Sequence, residues 1–313
     1  MNTKKNVGTL SIVALAFLLA ITILIKIASF YPGWIENNFS SGIYPDISWL
    51  SRKLLGSLPF SLGDILYILA GTFLVILAVK FVVVLVQKKI KLINFKRGLI
   101  KTFTVCAIIY IQFNIMWGLN YNRLGIAYQL KLDPEEHSID DLKNITSLLL
   151  LKVNQDRLAL GNGAIQYPRF SQIFNKAQSA YKNASFNYPF LQYKTSSIKQ
   201  SLYGQLGSFM GFFGYYNPFT GEAQLNLTQP RFLIPFVTCH EMAHQLGYAS
   251  ESEANFVGYL AAVESKDILF RYSTYFDLFN YANRELFSID SVAARKNYNH
   301  LDTLVKIDAE ELK

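Results

Sequence analysis

Residues 240–260 read HEMAHQLGYASESEANFVGYL, and this stretch decides the fold class of the C-terminal part of the chain. It opens with an HExxH motif formed by His240, Glu241 and His244. Residues four apart lie on one face of a helix, so both imidazoles can bind the same metal ion. Glu241 then projects towards water on that ion, which is the position of a general base. The motif therefore predicts a catalytic zinc site.

The residues around the motif favour a helix. Pro235 suits a first turn, no helix breaker follows between Phe236 and Leu246, and Gly247 suits a left-handed C-terminal cap. A second helix is predicted after this cap, beginning near Ser250, because apolar residues then recur at helical spacing. The two helices are expected to fold back on each other at Gly247.

Catalytic zinc needs a third protein ligand and one open position for water. The extended motif HExxHxxGxxH would place a histidine at position 250, where this chain has Ser250. The nearest carboxylates are Glu251 and Glu253. Glu253 is the favoured ligand because it lies about one turn after the reversal and His244 about one turn before it. Two alternatives stay open: Glu251 is the ligand, or Ser250-x-x-Glu253 is a capping box that occupies the Glu253 carboxylate.

Other residues near the motif are candidates for binding the substrate, orienting a metal ligand or stabilising the transition state. Residues 222–227 alternate as a short strand, which either binds an extended peptide by edge pairing or packs on the motif helix. Asn255 either orients a ligand or is an ordinary first-turn residue. Tyr272 and Tyr275 are candidate donors to a developing oxyanion. The sequence names no substrate-binding residue.

Three apolar stretches precede residue 120: Val7–Phe30, Leu62–Val86 and Leu99–Leu119. Each spans roughly 20 residues or more, the length of a bilayer crossing. The third contains polar residues such as Thr102 and Gln112, so a buried soluble helix is its alternative interpretation. We predict about three transmembrane helices, because only 17% of residues are charged and 51% are apolar.

The formal net charge of +8 does not indicate nucleic-acid binding, because the basic residues border the apolar stretches. Six of them occupy the loop between the second and third stretches: Lys88, Lys89, Lys91, Lys96, Arg97 and Lys101. The positive-inside rule then puts this loop and the N-terminus in the cytoplasm, and everything after Asn120 outside it. If the third stretch does not span, the same rule places the C-terminal domain in the cytoplasm.

The chain also resembles a bacterial family of multi-pass membrane proteins catalogued as domain of unknown function 3810. The similar segments are Trp117–Arg123, Pro218–Ala223 and the run from His240 to Leu260, with its HExAHQxG and E-x-EANF patterns. The resemblance covers most of the chain, including the apolar stretches. It implies a zincin with glutamate as third ligand, and it implies no substrate. The interval from His244 to Glu253 is shorter than in thermolysin-like peptidases.

These observations predict a mainly α protein in two parts. Residues 1–119 form a membrane anchor with about three transmembrane helices in the bacterial inner membrane, and residues 120–313 form an extracytoplasmic α+β zincin-like domain. The predicted function is a zinc metallopeptidase, with Glu241 as general base and His240, His244 and Glu253 as metal ligands. The predicted partners are the lipid bilayer and a peptide or protein substrate. The alternatives are a zinc amide hydrolase acting on a non-protein cell-envelope substrate and a non-catalytic membrane protein with a vestigial metal site.

Overall fold

The computed structural model describes residues 2–87, 92–133 and 138–312. It confirms the prediction of a mainly α protein, since 73% of it is helix and 4% is strand. Three of the basic residues used to predict the topology, Lys88, Lys89 and Lys91, lie outside the described residues.

The N-terminal part consists of helices joined by short connections. They are α1 (Asn2–Ala28), α2 (Pro32–Trp34), a π-helix (Ile35–Ile43), α3 (Tyr44–Leu55), α4 (Leu62–Val86) and α5 (Leu92–Met116). Helix α4 and residues Phe95–Met116 of α5 are each long and apolar enough to cross a membrane. Residues 12–28 of α1 meet this test only together with Pro32–Leu55, after a bend of 97°. Two helices, or up to three, could therefore cross a membrane.

Helix α4 is the most apolar of these segments, with a mean hydropathy of 2.7. It begins at the N-cap Ser61, whose hydroxyl accepts a hydrogen bond from the Asp64 amide. Its apolar side chains are exposed from Leu66 to Val86, as expected of a helix surrounded by lipid. The third apolar stretch is helical up to Met116, where α5 ends. Residues Phe95–Met116 have a mean hydropathy of 1.6, which favours a span over the alternative of a buried soluble helix.

The C-terminal part packs nine helices and three strands in the described residues. They are α6 (Gly125–Gln129), α7 (Ile139–Ala159), α8 (Phe170–Asn187), β1 (Ile198–Gln200), α9 (Gly204–Met210), β2 (Gly214–Asn217), β3 (Glu222–Leu225), α10 (Ile234–Gln245), α11 (Glu251–Val263), α12 (Ile268–Ile289), α13 (Ser291–Asn299) and α14 (Thr303–Glu310). Short 3-10 helices occur at Gly118–Asn122 and Pro189–Leu191.

The two helices predicted around the motif are confirmed as α10 and α11. Gly247 follows α10 with a φ of +90°, a left-handed conformation that suits glycine, and the chain reverses there. Ser250 is the N-cap of α11, since its hydroxyl accepts a hydrogen bond from the Glu253 amide. At Gly258 of α11 a Cβ atom would lie 3.1 Å from the His240 amide nitrogen. This glycine lets α11 pack tightly against the motif helix.

The small sheet has the strand order β1-β3-β2, with β1 parallel and β2 antiparallel to β3. The predicted strand at residues 222–227 is confirmed as β3, at Glu222–Leu225. Its predicted role in pairing with a peptide edge is wrong, because β1 and β2 already occupy both of its edges. The strands at the two edges are β1 and β2.

Buried polar contacts join the segment before α4 to the rest of the chain. Glu36 forms an ion pair with Arg123, with Oε1 and Nη2 2.7 Å apart. Glu222 of β3 accepts hydrogen bonds from the amides of Leu62 and Gly63 in the first turn of α4. These contacts cross the predicted boundary between residues 119 and 120, and they fix the start of α4 against the sheet.

Candidate metal centre

Three side chains converge where α10 meets the start of α11. Nε2 of His240 lies 3.2 Å from Oε2 of Glu251, and Nε2 of His244 lies 3.6 Å from Oε1 of the same carboxylate. Each of the three residues offers a ligand atom within 4.8 Å of the others. Tetrahedral zinc ligands at their usual bond lengths lie about 3.3 Å from one another. The spacing of these atoms therefore suits one metal ion.

Both imidazoles are held so that Nε2 faces the shared site. Nδ1 of His244 lies 2.7 Å from the carbonyl oxygen of Tyr248, which only accepts hydrogen bonds. Nδ1 of His240 lies 2.8 Å from Oδ1 of Asn255. These contacts put a proton on Nδ1 and leave the lone pair of a neutral ring on Nε2. Histidines that bind metals are commonly oriented in this way.

The carboxylate of Glu251 favours one positive charge on the pair of histidines. Burial lowers the pKa of His240, but the hydrogen bond to Glu251 and the charges of Glu241 and Glu251 outweigh it, so the pKa is raised. Burial and the neighbouring His240 lower the pKa of His244 to about 4. The hydrogen bond with His240 in turn lowers the pKa of Glu251. One positive charge is therefore favoured between these groups, and a second proton is not.

Glu241 follows His240 on α10 and is only 3% exposed. Among the residues that the structure describes, its Oε2 has no hydrogen-bond partner. Burial raises the pKa of this carboxyl to about 8. Gly214 of β2 passes so close that a Cβ atom there would lie 2.7 Å from Oε1 of Glu241. A buried carboxylate oxygen with no partner is costly, and it fits a group that must receive a proton from bound water.

Glu253, favoured by the sequence as the third ligand, lies outside the cluster. Its Oε1 accepts a hydrogen bond from the Ile126 amide at 2.8 Å, and its Oε2 accepts one from the Ser250 hydroxyl at 3.1 Å. Gly125 has a φ of +80°, a left-handed conformation that suits glycine, and a Cβ atom there would lie 1.7 Å from Oε1. Glu251 and Glu253 point roughly 200° apart around α11, and only Glu251 faces the histidines. The position of Glu251 fits the alternative in which it is the third ligand. The predicted capping box is formed only in part, because the Ser250 hydroxyl caps the Glu253 amide but the Glu253 carboxylate bonds to that hydroxyl and to the Ile126 amide instead of to the Ser250 amide.

The cluster opens into a cleft of about 610 Å³. Residues far from the motif in sequence line it, including Phe113, Trp117, Tyr121, Phe212, Tyr216 and Asp277. The indole of Trp117 donates a hydrogen bond to the His244 carbonyl at 3.1 Å and so braces the motif helix. Trp117 and Tyr121 belong to the Trp117–Arg123 segment that carries the family resemblance, which was the only signal for them. The sequence gives no signal for Asp277.

The two tyrosines suggested as oxyanion donors do not lie in this cleft. Tyr272 is buried and donates its hydroxyl hydrogen bond to Asp308. Tyr275 lines a separate apolar pocket beside Tyr259. A tyrosine that does line the cleft is Tyr121, whose ring packs edge-on against Trp117. Burial and the nearby charge of Glu251 raise the pKa of Tyr121, so its hydroxyl keeps its proton and can donate.

The hydrogen bond between Asn255 and His240 can be tested. We expect Asn255→Ala to weaken zinc binding by about 10–100-fold, as removal of a group that orients a metal-binding histidine usually does. Competition with a chromogenic chelator measures this affinity. Asn299→Ala, at an exposed position on α13, is the matched control and should bind zinc as the parent does. Equal affinity in the two variants would show that Asn255 does not orient His240.

A comparison with known families places this arrangement in context. Residues 39–313 match the sequence family described as "Protein of unknown function (DUF3810)". The matched range includes α4, α5 and every residue of the cluster. No curated protein and no solved structure matches the chain. The chemistry of the site must therefore be inferred from its own residues.

Proposed function

This chain belongs to the family of proteins of unknown function DUF3810, and we propose that it is a membrane-anchored zinc hydrolase that cleaves peptide bonds. The observation that carries the proposal is the buried Oε2 of Glu241, which has no hydrogen-bond partner among the described residues, beside the convergent His240, His244 and Glu251. A purely structural metal site has no need of a base. An HExxH motif on a helix is also the usual arrangement in zinc peptidases.

In the proposed reaction, His240, His244 and Glu251 would hold the zinc ion. When bound, zinc supplies Lewis-acid polarisation of the substrate carbonyl and lowers the pKa of water. Glu241 takes the proton from the attacking water and delivers it to the nitrogen that leaves. Tyr121, exposed in the cleft, donates a hydrogen bond to the oxygen on which negative charge develops.

The edge strand β2 supports a peptide as the substrate. Gly214, Tyr215 and Tyr216 of β2 line the cleft, and the strand passes over Glu241. Its outer edge pairs with no other strand in the part of the chain that the structure describes. An extended peptide can add to such an edge through main-chain hydrogen bonds, which places its carbonyl groups along the cleft. A non-protein amide has no repeating backbone with which to use this edge, so the edge favours the peptidase over the amide hydrolase.

Metal removal tests the proposed function directly. We expect the purified chain to contain about one zinc ion and to cleave a pool of quenched-fluorescence peptides, because the proposed ligand set has three protein groups and one open position. A chelator should remove both zinc and activity, and added zinc should restore them. His240→Ala and His244→Ala should not recover.

The outcomes of this experiment separate the alternatives. Cleavage of glycan-linked amides but not of peptides would favour the amide hydrolase. A folded chain that binds no zinc, or that binds zinc and cleaves neither kind of substrate, would favour the non-catalytic protein.

We propose that the C-terminal domain lies outside the cytoplasm of a bacterial inner membrane. It rests on three spans and on the basic residues that precede and begin the third apolar stretch in the sequence. An exposed cysteine introduced as Val292→Cys on α13, with Cys106 replaced, should react in intact cells with a thiol reagent that does not cross the inner membrane. Reaction only after lysis would place the domain in the cytoplasm.

A further inference from the structure

An apolar surface lies near the start of α4, outside the cluster of His240, His244 and Glu251. We call it the 202–213 segment; it comprises residues Leu202 to Phe213 and includes α9. Its exposed side chains are Leu202, Leu206, Phe209, Met210, Phe212 and Phe213. Phe209 is 90% exposed, an extreme value for a phenylalanine at a water-facing surface. A contiguous exposed apolar group of this kind marks a contact with something other than water.

Hydrogen bonds hold the segment in this outward orientation. Nδ2 of Asn226 donates to the Ser208 hydroxyl at 2.9 Å and to the Phe212 carbonyl at 3.0 Å. Ser208 also lies 2.6 Å from the hydroxyl of Thr228 and accepts a hydrogen bond from Gln229. These hydrogen bonds tie Ser208 and the end of the segment to residues 226–229, while the apolar side chains of α9 stay exposed. A helix on a water-soluble domain has the opposite arrangement.

The segment is attached to the first turn of α4. The amide of Leu202 donates a hydrogen bond to Oδ2 of Asp64 at 2.7 Å, and the Tyr203 hydroxyl donates to the Asp64 carbonyl at 2.8 Å. The lipid-exposed apolar residues of α4 begin at Leu66, only two residues later. Two residues of helix correspond to about 3 Å. The start of the segment therefore lies level with the edge of the membrane-spanning part of α4.

The absence of charged residues indicates which kind of surface the segment can contact. No residue from Gln200 to Gly221 is acidic, basic or a histidine, in a chain where 17% of residues are charged. A neutral surface rich in phenylalanine, beside a spanning helix, matches the boundary between lipid headgroups and acyl chains. It lacks the basic face with which interfacial helices select anionic lipids.

We propose that the 202–213 segment inserts into the interfacial layer of the bilayer, with Phe209 and Met210 among lipid chains. This contact needs no anionic lipid. Phe212 and Phe213 of the same segment line the metal cleft, together with Phe113 from the last turn of α5. The mouth of the cleft therefore lies at the membrane surface, whether or not the site is catalytic.

Lipid quenching of a fluorescent label tests this insertion. The full chain, with Cys106 replaced, carries Phe209→Cys labelled with an environment-sensitive fluorophore and is reconstituted in phosphatidylcholine vesicles. We expect nitroxide lipids with a shallow spin label to quench this position more strongly than those with a deep one. Leu74→Cys, in the middle of α4, should show the reverse order. Val292→Cys, which is 77% exposed on α13, should be quenched by neither.

Met210→Cys repeats the measurement, so that the test does not depend on the folding of a single variant. Strong quenching at both positions supports the proposal. Emission at both positions that matches the Val292 label would overturn it. Protection from iodide in water without quenching by nitroxide lipids would also overturn it, because a protein partner would then cover the segment.

Discussion

Glu241→Gln is expected to lower the rate of peptide hydrolysis by about 10²–10⁴-fold, the usual contribution of a general base. Glutamine keeps the size and the buried position of Glu241 but cannot take a proton from water. The residues proposed to hold zinc are unchanged, so the zinc content should equal that of the parent. Initial rates on the best peptide of the pool, together with zinc per chain, measure the two effects separately.

Glu285→Gln makes the same chemical change at an exposed position on α12 and is the matched control. It should keep the activity of the parent. If the Glu241 variant hydrolysed the peptide at the parental rate with zinc bound, Glu241 would not be the base and the proposed mechanism would fail. Loss of zinc from this variant would instead indicate that Glu241 helps to hold the metal.

Glu251→Ala should weaken zinc binding, whereas Glu253→Ala should lower the stability of the fold. We expect Glu251→Ala to lower zinc affinity by more than the roughly 10–100-fold typical of orienting residues, because it removes a proposed ligand. Glu253→Ala should keep zinc. It should lower the free energy of unfolding by about 1–3 kcal/mol, since the Ile126 amide loses its hydrogen-bond acceptor. Zinc competition assays and thermal unfolding in detergent give the two quantities.

The pair is informative because the two glutamates lie two residues apart on one helix and undergo the same substitution. Zinc loss in Glu253→Ala, with zinc retained in Glu251→Ala, would restore the ligand set favoured by the sequence. Zinc loss in both variants without a change in unfolding would show that α11 supplies two ligands. We expect the Glu253 variant to keep its zinc and to unfold at a lower temperature than the parent, because it loses the hydrogen bonds of the Glu253 carboxylate.

Local patterns predicted the elements that carry the site. Pro235, the absence of a helix breaker and Gly247 predicted α10, and the serine cap with apolar residues at helical spacing predicted α11; both are observed close to the expected bounds. Hydropathy and length predicted α4 and the greater part of α5. These predictions succeeded because helix formation and membrane insertion depend mainly on a single segment and its immediate neighbours.

The choice between Glu251 and Glu253 depended on packing that no local pattern contains. Either carboxylate is close enough in sequence to reach the histidines. Gly125 and Ile126 meet the Glu253 side of α11, and the ion pair between Glu36 and Arg123 holds that segment in place. These contacts join residues about a hundred positions apart, so the sequence pattern around the motif could not reveal them.

The sequence by itself determined the chemistry available to this protein: a pair of histidines with a base between them on a helix, joined to apolar segments that could cross a membrane. Only the tertiary structure decided which carboxylate faces the histidines, that β2 rather than β3 lies at an edge of the sheet, and that Trp117 and Tyr121 line the cleft. The physical reason is that the chemical type of a side chain determines which groups it can bind. Which face of a helix or strand meets a neighbouring element is determined by packing between residues far apart in the sequence.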